Sequence, residues 1–208
     1  SYLQPAEVRP DLLDAMTSVD KVVPYFDLSF QHASPTVLRR MRRFGDPDSF
    51  ASLIDQIRTR APLAGIRSNF IAGFPGETED DVEMLESFLV DARLDVVGVF
   101  GYSDEEGTEA VDLDGHLDAD EIEDRRARLT DLVEELSAQR AEDRVGEVVE
   151  VLVESVAGDS VTGRAAHQGP EVDGETTVPN CPARIGDLVT AVVTSSEGVD
   201  LRASVLVK

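Results

Sequence analysis

The sequence predicts an α/β domain built on a parallel sheet, open or barrel-like, followed by a small all-β barrel of OB-like type. Three observations predict it. Up to about residue 145, short apolar runs alternate with longer helix-like segments, and strand–helix–strand order with right-handed crossovers implies parallel pairing. After that point five short alternating strands follow within about 60 residues, separated by turn residues, as in a small barrel. The 208 residues are 41% hydrophobic and 29% charged, a globular composition that suits one large domain or two modest ones.

In order along the chain, Val22–Phe30 (VVPYFDLSF) reads as a strand from its β-branched and aromatic residues. Ser34–Pro35 is an N-cap followed by a first-turn proline and opens a helix through Met41. Pro47–Arg60 is a second helix with Phe50, Leu53, Ile54 and Ile57 on one face. Ile66–Ala72 is a strand ending in the turn Gly73–Gly76. Thr78 then caps a helix whose first turn carries Glu79, Asp80 and Asp81, where the helix dipole favours acids. Leu94–Tyr102 is the next strand. Asp118–Asp143 is a long charged helix with Ile122, Leu129, Leu132, Val133 and Leu136 at helical spacing. The strands after 145 are Glu147–Glu154, Val161–His167, Glu175–Pro179, Leu188–Thr194 and Val199–Val207. Ligands of parallel sheets sit at the C-terminal strand ends. Here those ends are Gln31–His32, Gly73–Glu77 and Tyr102–Gly107.

Composition narrows the function classes. The chain has 42 acidic and 19 basic residues, a net charge of −23, and only Lys21 and Lys208 are lysine. That charge repels naked nucleic acid and favours a basic partner, or it serves solubility alone. No apolar run approaches the roughly 20 residues of a membrane span, and the first residues show no signal peptide. The single cysteine, Cys181, excludes an internal disulfide and any site with two thiolates from this sequence. A cytoplasmic protein without membrane contact is expected.

The segments at the strand ends carry a resemblance. YFDLSFQHAS, RSNFIAGFPGETEDD and VFGYSDEEGTEA resemble consecutive stretches of the methylthiotransferase branch of the radical-SAM superfamily. YSDEEGT and PEVDG (Pro170–Gly174) are similar to the RimO-type group, which modifies a ribosomal protein, rather than to the MiaB-type group, which modifies tRNA. The resemblance implies the later strands of a radical-SAM partial (β/α) barrel over residues 1–144 and a TRAM domain over 145–208. YLQP at the start resembles the end of the third barrel strand. The resemblance also implies S-adenosylmethionine and two four-iron four-sulfur clusters in the full-length enzyme, whose CxxxCxxC loop is absent from this sequence. The implied substrate is the β-carbon of an aspartate in ribosomal protein S-twelve of the small subunit. The chain by itself is expected to hold no cluster and to turn nothing over. Its open sheet edges are expected to favour self-association.

Residue by residue, the resemblance implies that Ile71 and Gly73 lie against the adenine; alternatively, Gly73, Pro75 and Gly76 simply make a tight turn. Ser29 and Gln31 are candidates for the cofactor's ribose or amino-acid end, Arg67 for its carboxylate, and Phe100 and Tyr102 for flanking the adenine. His32, Asp104, Glu105, Glu106, Glu171 and Asp173 are candidates for the substrate, His32 having a structural alternative. No catalytic residue and no metal ligand is singled out. Glu77 is read as organising its turn, His116 and His167 as surface residues, and Cys181 as inert. The run Arg39–Arg43 is read as paired with carboxylates in preference to phosphate. Over 145–208 there are 10 acidic and 4 basic residues, a net −6 that fits a basic protein partner better than RNA. A tRNA-modifying enzyme and a non-catalytic module that grips a ribosomal protein are the competing readings.

Overall fold

The computed structural model describes residues 2–170 and 172–206. Its first unit is a four-stranded sheet, all parallel, in the order β1 (Tyr2–Leu3), β2 (Tyr25–Gln31), β3 (Gly65–Ala72) and β4 (Val96–Gly101). Helices α1 (Pro10–Ser18), α2 (Pro35–Arg40), α3 (Pro47–Arg60), α4 (Glu79–Ala92) and α5 (Ala119–Glu142) connect and flank the strands. YLQP does begin with a strand, which lies parallel to β2.

The alternation of a strand sorts side chains to two faces. Phe26, Leu28, Phe30, Ile66, Phe70 and Ala72 point into the core, against Phe50, Leu53, Ile54 and Ile57 of α3, Leu85 and Phe88 of α4, and Leu129 and Val133 of α5. Four phenylalanines form its centre, with Phe30 at 4.3 Å from Phe50 and edge-on to Phe88 at 5.7 Å. The other face carries Asp27, Arg67, Asn69 and Phe100, and it is the face that bears polar chemistry.

Most element ends shift by one or two residues from the sequence reading. The larger differences are a late start of β2, one additional helix, and the strands expected to end at Glu154 and Thr194, which each run three residues further, to Ala157 and Glu197. The strand expected from Val22 begins at Tyr25, because Val22 donates to Val19 O in a turn and Val22 and Val23 stay exposed. Helix α1 shows no long apolar period and was not expected; it buries only Leu13.

The second unit is a closed five-stranded barrel in the order β5 (Val148–Ala157), β6 (Ser160–Ala165), β7 (Thr176–Val178), β9 (Asp200–Val205) and β8 (Leu188–Glu197). Its pairs are antiparallel except β7–β9. Valines 151, 153, 161, 178 and 193 fill it, and Cys181 is buried among them. Barrel closure leaves no edge strand here, unlike the sheet.

His167 overturns its surface reading. It is buried, and its pKa is lowered to about 3, first by desolvation and then by Arg144 and Arg140. Placing His167 against the first unit is a tertiary event with no local signal in the sequence.

Candidate functional site

The site is built where β2 and β3 end. After β3 the chain turns through Gly73 (φ 77°) and Gly76 (φ 82°), a left-handed backbone that glycine adopts without Cβ strain. The turn is also crowded: a Cβ on Gly73 would lie 2.6 Å from Ile122 of α5, and one on Gly76 2.6 Å from Arg40 Nε. Gly73 N–H donates to Glu77 Oε1 at 2.9 Å, and Arg125 Nη1 donates to the same oxygen at 2.9 Å. Glu77 therefore does organise its turn, as its sequence suggested.

His32 completes this buried network. Its Nδ1 accepts from Ser34 N–H at 2.9 Å, so Nε2 carries the proton toward Glu77 Oε2 at 3.2 Å. Ser34 caps α2 and its hydroxyl donates to Asp81 Oδ1 at 2.5 Å, while Asp81 Oδ2 accepts from Thr78 N–H and Oγ1–H. Burial pushes the Asp81 carboxyl up, but the hydrogen bonds from Ser34 and Thr78 outweigh it and hold the group low. The His32 side chain is fully enclosed and faces protein on every side.

Beside this frame lies a pocket of about 420 Å³, lined by Gln31, Met41, Arg43, Ile71, Phe74 and Leu113 among others. Gln31 sits at φ 69° after a register irregularity in β2, which turns the strand end into the pocket. The segment after β4 crosses the pocket mouth. It is tied to the end of α2 by Arg40 to Asp114 at 2.7 Å and to the turn after α2 by the Arg42–Glu109 pair, and Gly76 N–H donates to Gly115 O at 2.7 Å. An adjoining recess of about 250 Å³ is lined by Gln4, Ser29, Arg43 and Phe44. Arg43 Nη1 donates to Gln4 Oε1 at 2.8 Å and to Ser29 O at 3.3 Å. The Ser29 hydroxyl is buried and has no partner among the described residues.

The structure thus gathers Gln31, Ile71 and Ser29, with Gly73 in the adjacent turn. Tyr102 stands nearby, edge-on to Phe74 at 5.2 Å; its phenol donates to Asp104 at 2.8 Å and is pushed up to about 12 by desolvation and by that carboxylate. Asp104, Glu105 and Glu106 are exposed, and Phe100 is 55% exposed on the free edge strand β4. Arg67 and Asp173 are placed elsewhere. Arg67 lies near the start of β3, four residues before Ile71, and its Nη1 is 3.7 Å from the buried Asp173 carboxylate. Glu171 lies outside the described residues. Met41 and Phe74 line the pocket without having been singled out, and Arg43 was read only as part of the arginine run. Of that run, Arg40 and Arg42 pair with carboxylates as expected and also line the pocket, whereas Arg39 and Arg43 meet no carboxylate among the described residues. Arg43 is held instead by the Gln4 amide and the Ser29 carbonyl.

The donor set can be tested against the groups that the resemblance implies. A glycine turn, an amide, a guanidinium and an unpartnered buried hydroxyl suit S-adenosylmethionine, which offers a planar base, hydroxyls and a carboxylate. A thiolate-held cluster does not fit the residues of this chain, whose one cysteine is buried in the barrel of β5–β9.

Comparison with known proteins bears on these readings. The family model of the TRAM domain matches residues 145–206. The ribosomal protein uS12 methylthiotransferase RimO of a Nocardioides species is 65% identical over 98% of this chain, which covers 43% of that protein. Those of Kineococcus radiotolerans (65% identical, 100% of this chain and 44% of that protein) and Cutibacterium acnes (61%, 98% and 42%) match similarly. The chain therefore spans less than half the length of the curated relatives it matches. Among solved structures, coproporphyrinogen III oxidase (HemN) from Escherichia coli, a radical SAM enzyme, superposes with a TM-score of 0.55 at 17% identity, over 70% of this chain and 33% of that one. Its likeness establishes a radical-SAM fold for the sheet and helices. Along its whole length this chain is a stretch of RimO-type radical-SAM methylthiotransferase sequence, with a TRAM domain from residue 145.

Proposed function

We propose that the full gene product methylthiolates the β-carbon of an aspartate in ribosomal protein S-twelve, and that this chain supplies the cofactor-facing strand ends and an acidic TRAM domain for substrate contact. The observation that carries the reading is the pocket at the ends of β2 and β3, where Gln31, Ile71 and Arg43 meet beside the unpartnered Ser29 hydroxyl. The pocket residues would hold S-adenosylmethionine, which would supply radical hydrogen-abstraction chemistry when bound beside a reduced cluster.

The chain's own residues bind and orient. Gln31 and Ser29 offer hydrogen bonds to ribose or amino-acid oxygens, and Arg43 offers its fork to a carboxylate. Ile71 and the backbone at Gly73 receive a flat ring. The pair Phe74–Tyr102 and the tied segment 102–118 limit access of water to the mouth. The exposed acids Asp104, Glu105 and Glu106 and the net −6 of residues 145–208 attract a basic protein, and they disfavour strong nucleic-acid binding. The two clusters are assigned to parts of the enzyme outside this chain, so the chain alone neither takes up a cluster nor turns over. We take residue 145 as the functional boundary, a cytoplasmic enzyme as the setting, and the free edges at β1 and β4 as a route to self-association.

The test is made on the full gene product, with clusters reconstituted, S-adenosylmethionine, reductant and purified S-twelve. Peptide mass spectrometry should find a methylthio group on one aspartate. An unmodified aspartate beside a competent cofactor-cleaving enzyme would overturn the reading. Gln31→Ala and Arg43→Ala should raise the Kd for S-adenosylmethionine, measured by calorimetry, by about tenfold each, as for loss of one charged or polar contact.

A further inference from the structure

At the other end of the same sheet face, the barrel of β5–β9 reaches into the first unit. Asp173 belongs to the segment between β6 and β7, and its side chain is fully buried. Its Oδ2 accepts from Gly169 N–H at 2.8 Å and from the phenol of Tyr25, the first residue of β2. Its Oδ1 faces Arg67 Nη1 of β3 at 3.7 Å. The fit is close on both sides. A Cβ on Gly169 would lie 2.5 Å from the Tyr25 hydroxyl, and one on Gly65, beside Tyr25 in register, would lie 2.5 Å from His167 O.

We infer that Asp173 is a positioning residue, a latch by which the TRAM barrel seats Tyr25 and Arg67 at the starting ends of β2 and β3. Arg67 lies between two carboxylates, Asp173 from the barrel and Asp27 from the neighbouring position of β2. Without Asp173 the phenol loses its acceptor and the guanidinium loses one of its two acids. Among the described residues Asp27 Oδ1, Asn69 Oδ1, Arg67 Nε and Asp173 Oδ1 itself have no hydrogen-bond partner, so Asp173 holds Tyr25 by a hydrogen bond through Oδ2 and Arg67 by charge alone through Oδ1. Docking of the barrel therefore sets the lower half of the face whose upper half forms the pocket. The inference stands on the junction alone and holds whether or not the proposed reaction does.

A double-mutant cycle on this chain tests it, with Tyr25→Phe, Asp173→Asn and the double variant followed by calorimetry. A latch makes the losses non-additive: each single variant lowers Tm, and the double variant falls no further than the worse single. Shifts that add would overturn it. Spectrophotometric titration supplies a signature that general destabilisation does not produce. The phenolate signal of Tyr25, isolated by subtracting the matching Tyr25→Phe protein, should appear at lower pH in Asp173→Asn than in the parent chain. An unchanged midpoint would overturn the latch. Should Asp173→Asn fail to fold, Tyr25→Phe alone decides by hydrogen exchange. Faster exchange confined to residues 172–176 supports the latch, and a uniform change across the barrel, β8 included, contradicts it.

Discussion

At the scale of single residues, the buried ion pairs are more consequential than the exposed ones. Glu77 and Arg125 are both nearly enclosed, and Glu77 also receives Gly73 N–H and faces His32. Glu77→Ala removes the buried carboxylate from Arg125 Nη1, leaving only Glu121 on Nη2, and takes the acceptor from Gly73 N–H. It should cost about 3 kcal/mol, measured as a lower urea midpoint. The exposed pair Arg126–Glu123 should be nearly silent by the same measurement. His167 gives a pH dependence with a definite sign. Its folded pKa of about 3 lies below the ordinary value of 6.5, so the unfolded chain binds the proton more readily between those values. Its contribution is complete above pH 6.5 and is lost as the pH falls toward 3. Between pH 7 and pH 5 the parent chain should lose about 2 kcal/mol more than His167→Gln, as read from urea unfolding at the two pH values.

At the scale of elements, helix starts are set by local chemistry. Asp46 and Thr78 each close a capping box with the residue three positions on, and Ser34 caps α2. Thr78→Ala should cost about 1 kcal/mol, seen as a lower thermal midpoint. The turn between β3 and α4 is more demanding, because its conformation and its crowding both require glycine. Gly76→Ala places a Cβ at φ 82° against an Arg40 side chain that is already committed to Pro75 O and Asp114. It should destabilise by about 1–2 kcal/mol and loosen the segment over the pocket, visible as faster exchange of the residue-76 amide, whose acceptor is Gly115 O.

At the scale of the molecule, the two units share a buried charge cluster as well as the Asp173 contact. Arg144, 1% exposed and just past α5, donates to Asp95 at 2.5 Å and to Glu147 at 2.8 Å, while the other oxygen of Asp95 accepts from Ile66 N–H at 2.8 Å. One side chain thus ties the end of the long helix to the sheet and to the entry of the barrel. Arg144→Ala should lower stability by about 3–5 kcal/mol and split a single calorimetric transition into two. A single transition at the parent midpoint would contradict that coupling.

Much of this was legible in the sequence because it is local. Alternation and helical spacing placed β3, α3 and α5 within a residue or two, and the caps Ser34 and Thr78 fixed the starts of α2 and α4. The strand-end segments pointed to Gln31, Ile71 and Gly73, which the fold gathers. Sequence alone also determined the acidity of both units and the absence of a thiolate set, since these depend only on composition. Tertiary structure decided the rest. Arg67 and Asp173 are 106 positions apart, and nothing local shows that they meet; the same holds for Glu77 with Arg125 and for Arg144 with Asp95. Whether a charged residue faces solvent, a cofactor or a partner across a domain junction depends on which distant element covers it. Local rules establish strands, helices and turns, whereas long-range packing selects which of their polar side chains remain free to bind.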